Sequence, residues 1–298
     1  MKPQSVEQKA KETAAQYFSD MGHYYALLSE GVAALDRRLP NPMNATYRNV
    51  LLTISAHYQH CAHTLPPIPI ETTGQVIELY NEAISRFAKQ QHLAPIVSLS
   101  MQSFQYNHPE WTEIKQLRSE MNQAQEVVAN RQFEFIGLVD GQKLSREDRL
   151  ANARLAQEVR GQLKKMSNFT RESAEYTLRM RAAMSGKNLS PEELAIHKEH
   201  FLEAEIENNG RLERLQITQL EKAQTVTQSE HAIETIKQSM ENTVNAFEKM
   251  HELFENKIIE EPQSKDVYAL APDYLNRLAA TQRGVQRVLD SFNTGRVL

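Results

Sequence analysis

Cysteine occurs once in this chain of 298 residues, at Cys61, so no intramolecular disulfide can form and the fold must rest on packing. Glycine and proline are scarce, at 10 and 11 residues, which leaves few places for a sharp turn. None of the glycines forms a GxGxxG or GxxxxGK phosphate loop, and no nucleophile elbow is present. No stretch approaches about 18 uninterrupted apolar residues, and the mean hydropathy is −0.57, so no membrane-spanning helix is expected. The first 30 residues carry Lys2, Glu7, Lys9, Lys11, Glu12 and Asp20 and lack the apolar core of a secretory signal. A cytoplasmic protein is expected, with leaderless export left open.

Helix formers fill the space that these absences leave. Gln, Glu, Ala, Leu, Lys and Arg dominate, and 40% apolar with 24% charged residues suits a folded chain. The expectation is an all-α protein: an N-terminal helical bundle over residues 1–106, then an elongated antiparallel helical-hairpin or coiled-coil module over 107–298. In the first part, apolar positions from Ala14 to Leu35 recur at three- and four-residue steps, and proline-marked breaks fall at 39–42, 65–69 and 107–109. In the second, Ile114 to Leu138 keeps the same alternation. Gly141 and Gly186 are each followed by a Ser and then an acid (Ser145/Asp148, Ser190/Glu193), the pattern of a helix stop with left-handed glycine and a capped restart. Between them a helix is expected from Arg146 to Met184. The helix after Ser190 is expected to break or bend at Asn208-Asn209-Gly210.

Charge is segregated although the net is only −4. From Lys143 to Lys187 there are 11 Lys/Arg against 5 Asp/Glu, a net of +6; from Ser190 to Glu261 there are 7 against 16, a net of −9. Opposite charges beside an antiparallel seam favour that pairing. The small net charge gives no overall pull toward nucleic acid, and the basic stretch is interleaved only by Phe169 and Tyr176.

Three clusters have metal-ligand chemistry. His57, His60, Cys61 and His63 contain i,i+3 and i,i+4 pairs, but four ligands spread around one helix cannot face one ion. Glu193, His197 and His200 form a second group; Glu248, His251, Glu252 and Glu255 form a third. Only Glu248/His251 has the Glu-x-x-His spacing of a carboxylate-bridged metal bundle, which needs two such pairs. No catalytic, cofactor-binding or metal residue is assigned, and no cofactor is expected.

Long helices with narrow apolar stripes need neighbours from their own chain or another. The expected function is therefore a non-enzymatic interaction protein, scaffold or assembly subunit that works through helix contacts with protein partners or itself. Met240, Val244, Phe247 and Phe254 are the candidate partner-binding residues, because aromatics and Met are common at partner-facing surfaces. The alternative for these four is packing on the basic helix and the last helix of the same chain. Two other function classes are a BAR-type helical dimer using the basic segment on a membrane surface, and a bacterial secretion-system component or delivered effector. A pore-forming helical toxin lacks the long apolar segment it would need.

Overall fold

The computed structural model describes residues 4–108, 110–184, 188–260 and 271–294. All regular structure among them is helical, with no strand. The helices are α1 (Val6–Arg38), α2 (Pro42–Thr64), α3 (Thr73–Ser85), α4 (Leu93–Asn107), α5 (Thr112–Val139), α6 (Arg146–Met184), α7 (Pro191–Leu212), α8 (Thr218–Lys222), α9 (Val226–Glu260) and α10 (Ala271–Thr294). They fall into two compact units, Met1–Lys143 and Leu144–Leu298. The boundary comes after α5 and not at 106/107, because the α5 stripe Ile114, Met121, Val128 and Phe135 joins the core built around α1.

Capping residues set most helix starts. Thr72 with Gln75, and Ser190 with Glu193, each make both halves of a capping box. Ser5 makes one half, accepting from the Gln8 amide at 3.2 Å, while the Gln8 side chain donates to Glu12. Asn41 caps α2, with Pro42 in the first turn where its missing N–H costs nothing.

The stops differ from the glycine expectation. Gly141 is not left-handed, and a Cβ there would meet nothing within 4 Å. Instead α5 runs out into extended backbone at Asp140 (φ −96°, ψ 116°), and the Asp140 carboxylate accepts from the Gln142 amide at 3.0 Å. That Asx turn satisfies the chain without a positive φ. Gly186 lies outside the described residues. Gly210 does not break α7, which continues to Leu212. A single π-helical turn, Glu213–Ile217, follows, and the chain leaves helix only at Ala223 (ψ 129°).

In the first unit α1 is the central element. Its neighbours α2 and α5 run antiparallel to it, as the Ser55–Gly22 and Arg131–Asp20 contacts require. Gly22 is needed at the α1–α2 crossing: Ser55 donates to its carbonyl at 2.7 Å, and a Cβ would meet the Gln59 side chain at 2.5 Å. The core is rich in rings. Phe18 stacks on Tyr58 (6.1 Å) and Tyr80 (5.7 Å), and Tyr80 stacks on Phe135 at 4.3 Å. In the second unit α7 packs antiparallel on α6, and α10 packs antiparallel on both α6 and α9. Gly284 of α10 admits the buried amide of Gln162, which a Cβ would meet at 2.6 Å.

Burial pushes the hydroxyls of Tyr17, Tyr25, Tyr58 and Tyr80 above the ordinary tyrosine value. In the unfolded chain these groups ionise near pH ~10, so the stability they contribute is complete below that pH and lost as pH rises past it. Tyrosinate absorbance followed with helix circular dichroism should show both changing together in one alkaline transition. Ionisation of all ten tyrosines near pH ~10 with helix content intact would contradict the burial.

Candidate functional site

A cavity of about 200 Å³ opens between α2 and α3, lined by Phe18, His57, Cys61, Leu79, Glu82 and Arg86 among others. Its inner wall is the aromatic core. One side is the segment 65–68, held down by Lys11, whose amine donates to the carbonyls of Pro66 (2.9 Å) and Ile68 (3.1 Å). This is where the His/Cys cluster lies. His57 Nε2 is 3.0 Å from the Ala83 carbonyl and donates to it, which leaves Nδ1 as the acceptor.

Cys61 Sγ lies 3.9 Å from Nδ1 and 3.7 Å from Nε2 of His57. Near-equal distances place the sulfur on neither nitrogen lone pair, so the pair lacks the alignment that makes histidine a base for a thiol. Burial pushes the Cys61 thiol above its ordinary value, against a smaller pull from Arg86. A neutral thiol is a poor nucleophile and a poor metal ligand. His63 donates from Nδ1 to the Gln59 carbonyl at 2.6 Å, on its own helix. Among the described residues no group of three or more His, Cys, Asp or Glu is placed to hold a metal ion.

The other two clusters are spent on local contacts. The Glu193 carboxylate accepts from the Ser190 amide at 2.8 Å as part of a cap, and His200 sits 3.5 Å from Glu203. Glu248 accepts from Gln282 of α10, while His251 turns to Glu255 one turn along α9.

The four candidate partner residues lie in their own unit's interior. Met240 is 2% exposed and Phe254 3%, Val244 is buried, and Phe247 packs half-buried against the same cluster. Phe247 meets Phe169 edge-on at 6.2 Å, and Phe254 meets Tyr176 and Tyr274 at 6.5 and 5.2 Å. Packing on the basic helix and the last helix therefore covers Phe247 and Phe254, and Met240 and Val244 are buried as well. Sequence spacing identified the stripe correctly but could not say which helices cover it.

Two exposed helix faces in the same unit escaped the sequence reading. On α6, Arg146, Arg149, Arg154, Lys164, Lys165 and Arg171 are all exposed, and none has a carboxylate partner among the described residues. They share a sector of about 160° around the helix at 3.6 residues per turn. On α7, Glu192, Ile196, Glu199, Glu203 and Ile206 step by 4, 3, 4 and 3 residues and are all exposed, Ile196 at 51% and Ile206 at 53%. Its other face, with Leu194, Phe201 and Ala204, is buried. The α7 stripe was legible as a heptad, but glutamates at three of its five positions disguise it.

The opposite charges of the two segments meet across the edges of the α6–α7 seam. Arg160 holds Glu213 (3.1 Å) and Glu221 (2.8 Å), and its hydrogen bond keeps the Glu221 carboxyl below the ordinary range. Glu175 approaches Lys198 at 3.8 Å, with the charges reversed. No helix among the described residues is long and apolar enough to cross a membrane. No protein family, curated protein or solved structure matches this chain.

Phe254→Ala should cost about 3–5 kcal/mol, read by denaturant unfolding, and Phe247→Ala should cost less because that ring is only half-buried. Equal, near-zero losses would take α9 out of the core. Alkylation of the single thiol should be slow at neutral pH compared with a free cysteine and accelerate only above the ordinary thiol value of 9.0. Free-thiol rates at neutral pH would contradict its burial.

Proposed function

We propose that the protein is a non-enzymatic interaction protein, an assembly subunit or scaffold that works through the outward faces of long helices. On this reading the first unit is a helical bundle and the second a long-helix module. The observation that carries the proposal is the α7 stripe: heptad-spaced, exposed, and left over after the helix has buried its other face. Isoleucines at such spacing suit helix-on-helix contact, and covering the exposed half of each contributes about 1 kcal/mol. The misaligned, neutral Cys61 thiol beside His57 supports a role without nucleophilic chemistry.

Protein partners or self-association, in an aqueous compartment such as the cytoplasm, fit this reading. A BAR-type membrane role fits less well, because the cationic α6 packs beside an acidic helix that an anionic bilayer repels.

The double variant Ile196→Ser/Ile206→Ser tests the proposal. Both positions are exposed, so the melting temperature should hardly move. Association should weaken about tenfold or more, read by size-exclusion chromatography with light scattering and by cross-linking in the cells that make the protein. The reading fails if wild type runs as a 34.2 kDa monomer at every concentration and cross-links to nothing.

A further inference from the structure

We propose that the cationic face of α6 is the docking surface for the acidic stripe on α7 of a second copy of this chain. The inference rests on the reading of the protein as an assembly subunit and names its partner. The six exposed cations on one sector of α6 form no ion pair among the described residues, while the exposed Glu172 and Glu175 of the same sector are held by Arg277 and by Arg179 and Lys198; the α7 stripe alternates Glu192, Glu199 and Glu203 with two exposed isoleucines. The α7 stripe, about 21 Å from Glu192 to Ile206, fits within the cationic face, about 33 Å from Arg149 to Arg171 at 1.5 Å per residue. Leu150, 52% exposed between Arg149 and Arg154, gives the isoleucines an apolar contact on the cationic face.

The chain cannot make this contact with itself. Its own α7 turns Leu194, Phe201 and Ala204 inward, with Phe201 under the Arg181 guanidinium at 5.5 Å. The stripe lies on the opposite side of the helix, so the complement to each face must come in trans. A second copy supplies both complements. A lipid surface or a nucleic acid would neutralise α6 and be repelled by α7. Phe169 and Tyr176 are buried, so α6 also offers no ring for base stacking. The two faces differ, so the contact is heterologous; it closes into a dimer where both copies reciprocate, and into a ring or chain where they do not.

Charge reversal of the full chain tests the assignment. One variant carries Lys164→Glu, Lys165→Glu and Arg171→Glu; the other carries Glu192→Lys, Glu199→Lys and Glu203→Lys. All six positions are exposed, and circular dichroism checks that each variant stays folded. Wild type at low salt should show a mass that is a multiple of 34.2 kDa by light scattering, falling as salt is raised. Each variant alone should associate at least about tenfold more weakly.

Mixed together, the two variants should associate again, because each then meets a face of opposite charge. Two folded variants that stay monomeric when mixed would overturn the pairing. So would unchanged self-association of the α6 variant together with loss of binding to phosphatidylserine vesicles that wild type sediments with. If Ile196→Ser/Ile206→Ser dissociates the assembly while neither charge variant does, the assembly reading stands and this face assignment falls. Wild type that is monomeric in every condition, yet cross-links to a different protein in cells, overturns the self-docking alone.

Discussion

Tyr274 packs on Phe169 (5.7 Å), Tyr176 (4.6 Å) and Phe254 (5.2 Å) at once, and its hydroxyl lies 3.4 Å from the Thr177 hydroxyl. That arrangement joins α6, α9 and α10 through one side chain of the last helix. It fixes which face of α9 is inward, and therefore which side of α6 is occupied. Once Phe169, Tyr176 and Met180 are committed to this cluster, the cations on the other side of α6 have to face out. The surface of the second unit is thus a consequence of its core, and the basic face is what remains after burial is satisfied.

The same logic explains why the charge segregation survives folding. A basic helix followed by an acidic one invites neutralisation across the seam, yet the seam itself is apolar, with Leu194, Phe201 and Ala204 on the α7 side. Charged groups can meet only along its edges, where Arg160 reaches Glu213 and Glu221. That triad sits at the π-turn, which adds a residue to the helical ladder and shifts the following side chains around the axis. Lys198 reaches Glu175 farther along, whereas Lys164, Lys165 and Arg171 form no ion pair among the described residues. Exposed charge of this kind adds little to stability, so its concentration on one face bears on association more than on the fold.

Local chemistry was legible in the sequence and long-range pairing was not. Ser190 with Glu193 and Thr72 with Gln75 announce helix starts because the capping bonds close within three residues. The 3–4 periodicity of α5 and α9 announces helices for the same reason. What covers a stripe is set by contacts a hundred residues away: Tyr274 over Tyr176 has no local trace, so Met240, Val244, Phe247 and Phe254 could be read as partner-facing. The α5 stripe was likewise visible, but not its commitment to α1. Gly141 was misread because an Asx turn at Asp140 does the work a left-handed glycine would do, and both patterns contain the same residue types. The helix does not break at Gly210, because burial of Phe201 and Ala204 before it and Ile217 after it carries it through a weak propensity, and the irregularity comes just beyond, at the π-turn Glu213–Ile217.

The α2–α3 cleft and the α6–α7 faces differ in what they ask of a ligand. The cleft is a shortfall of packing at the rim of an aromatic core: Phe18 lines it but is already stacked on Tyr58 and Tyr80, and His57 is held by Ala83. His57 and Thr64 of its lining are bonded to backbone carbonyls, which leaves Glu82 and Arg86 as its charged groups. On α6 and α7, by contrast, six cations and two isoleucines are exposed in an ordered helical array, already positioned by the core beneath them. A preorganised face loses little conformational freedom on docking, whereas a loop must first be ordered. That difference is the physical reason to look for this protein's work on the outer faces of its long helices.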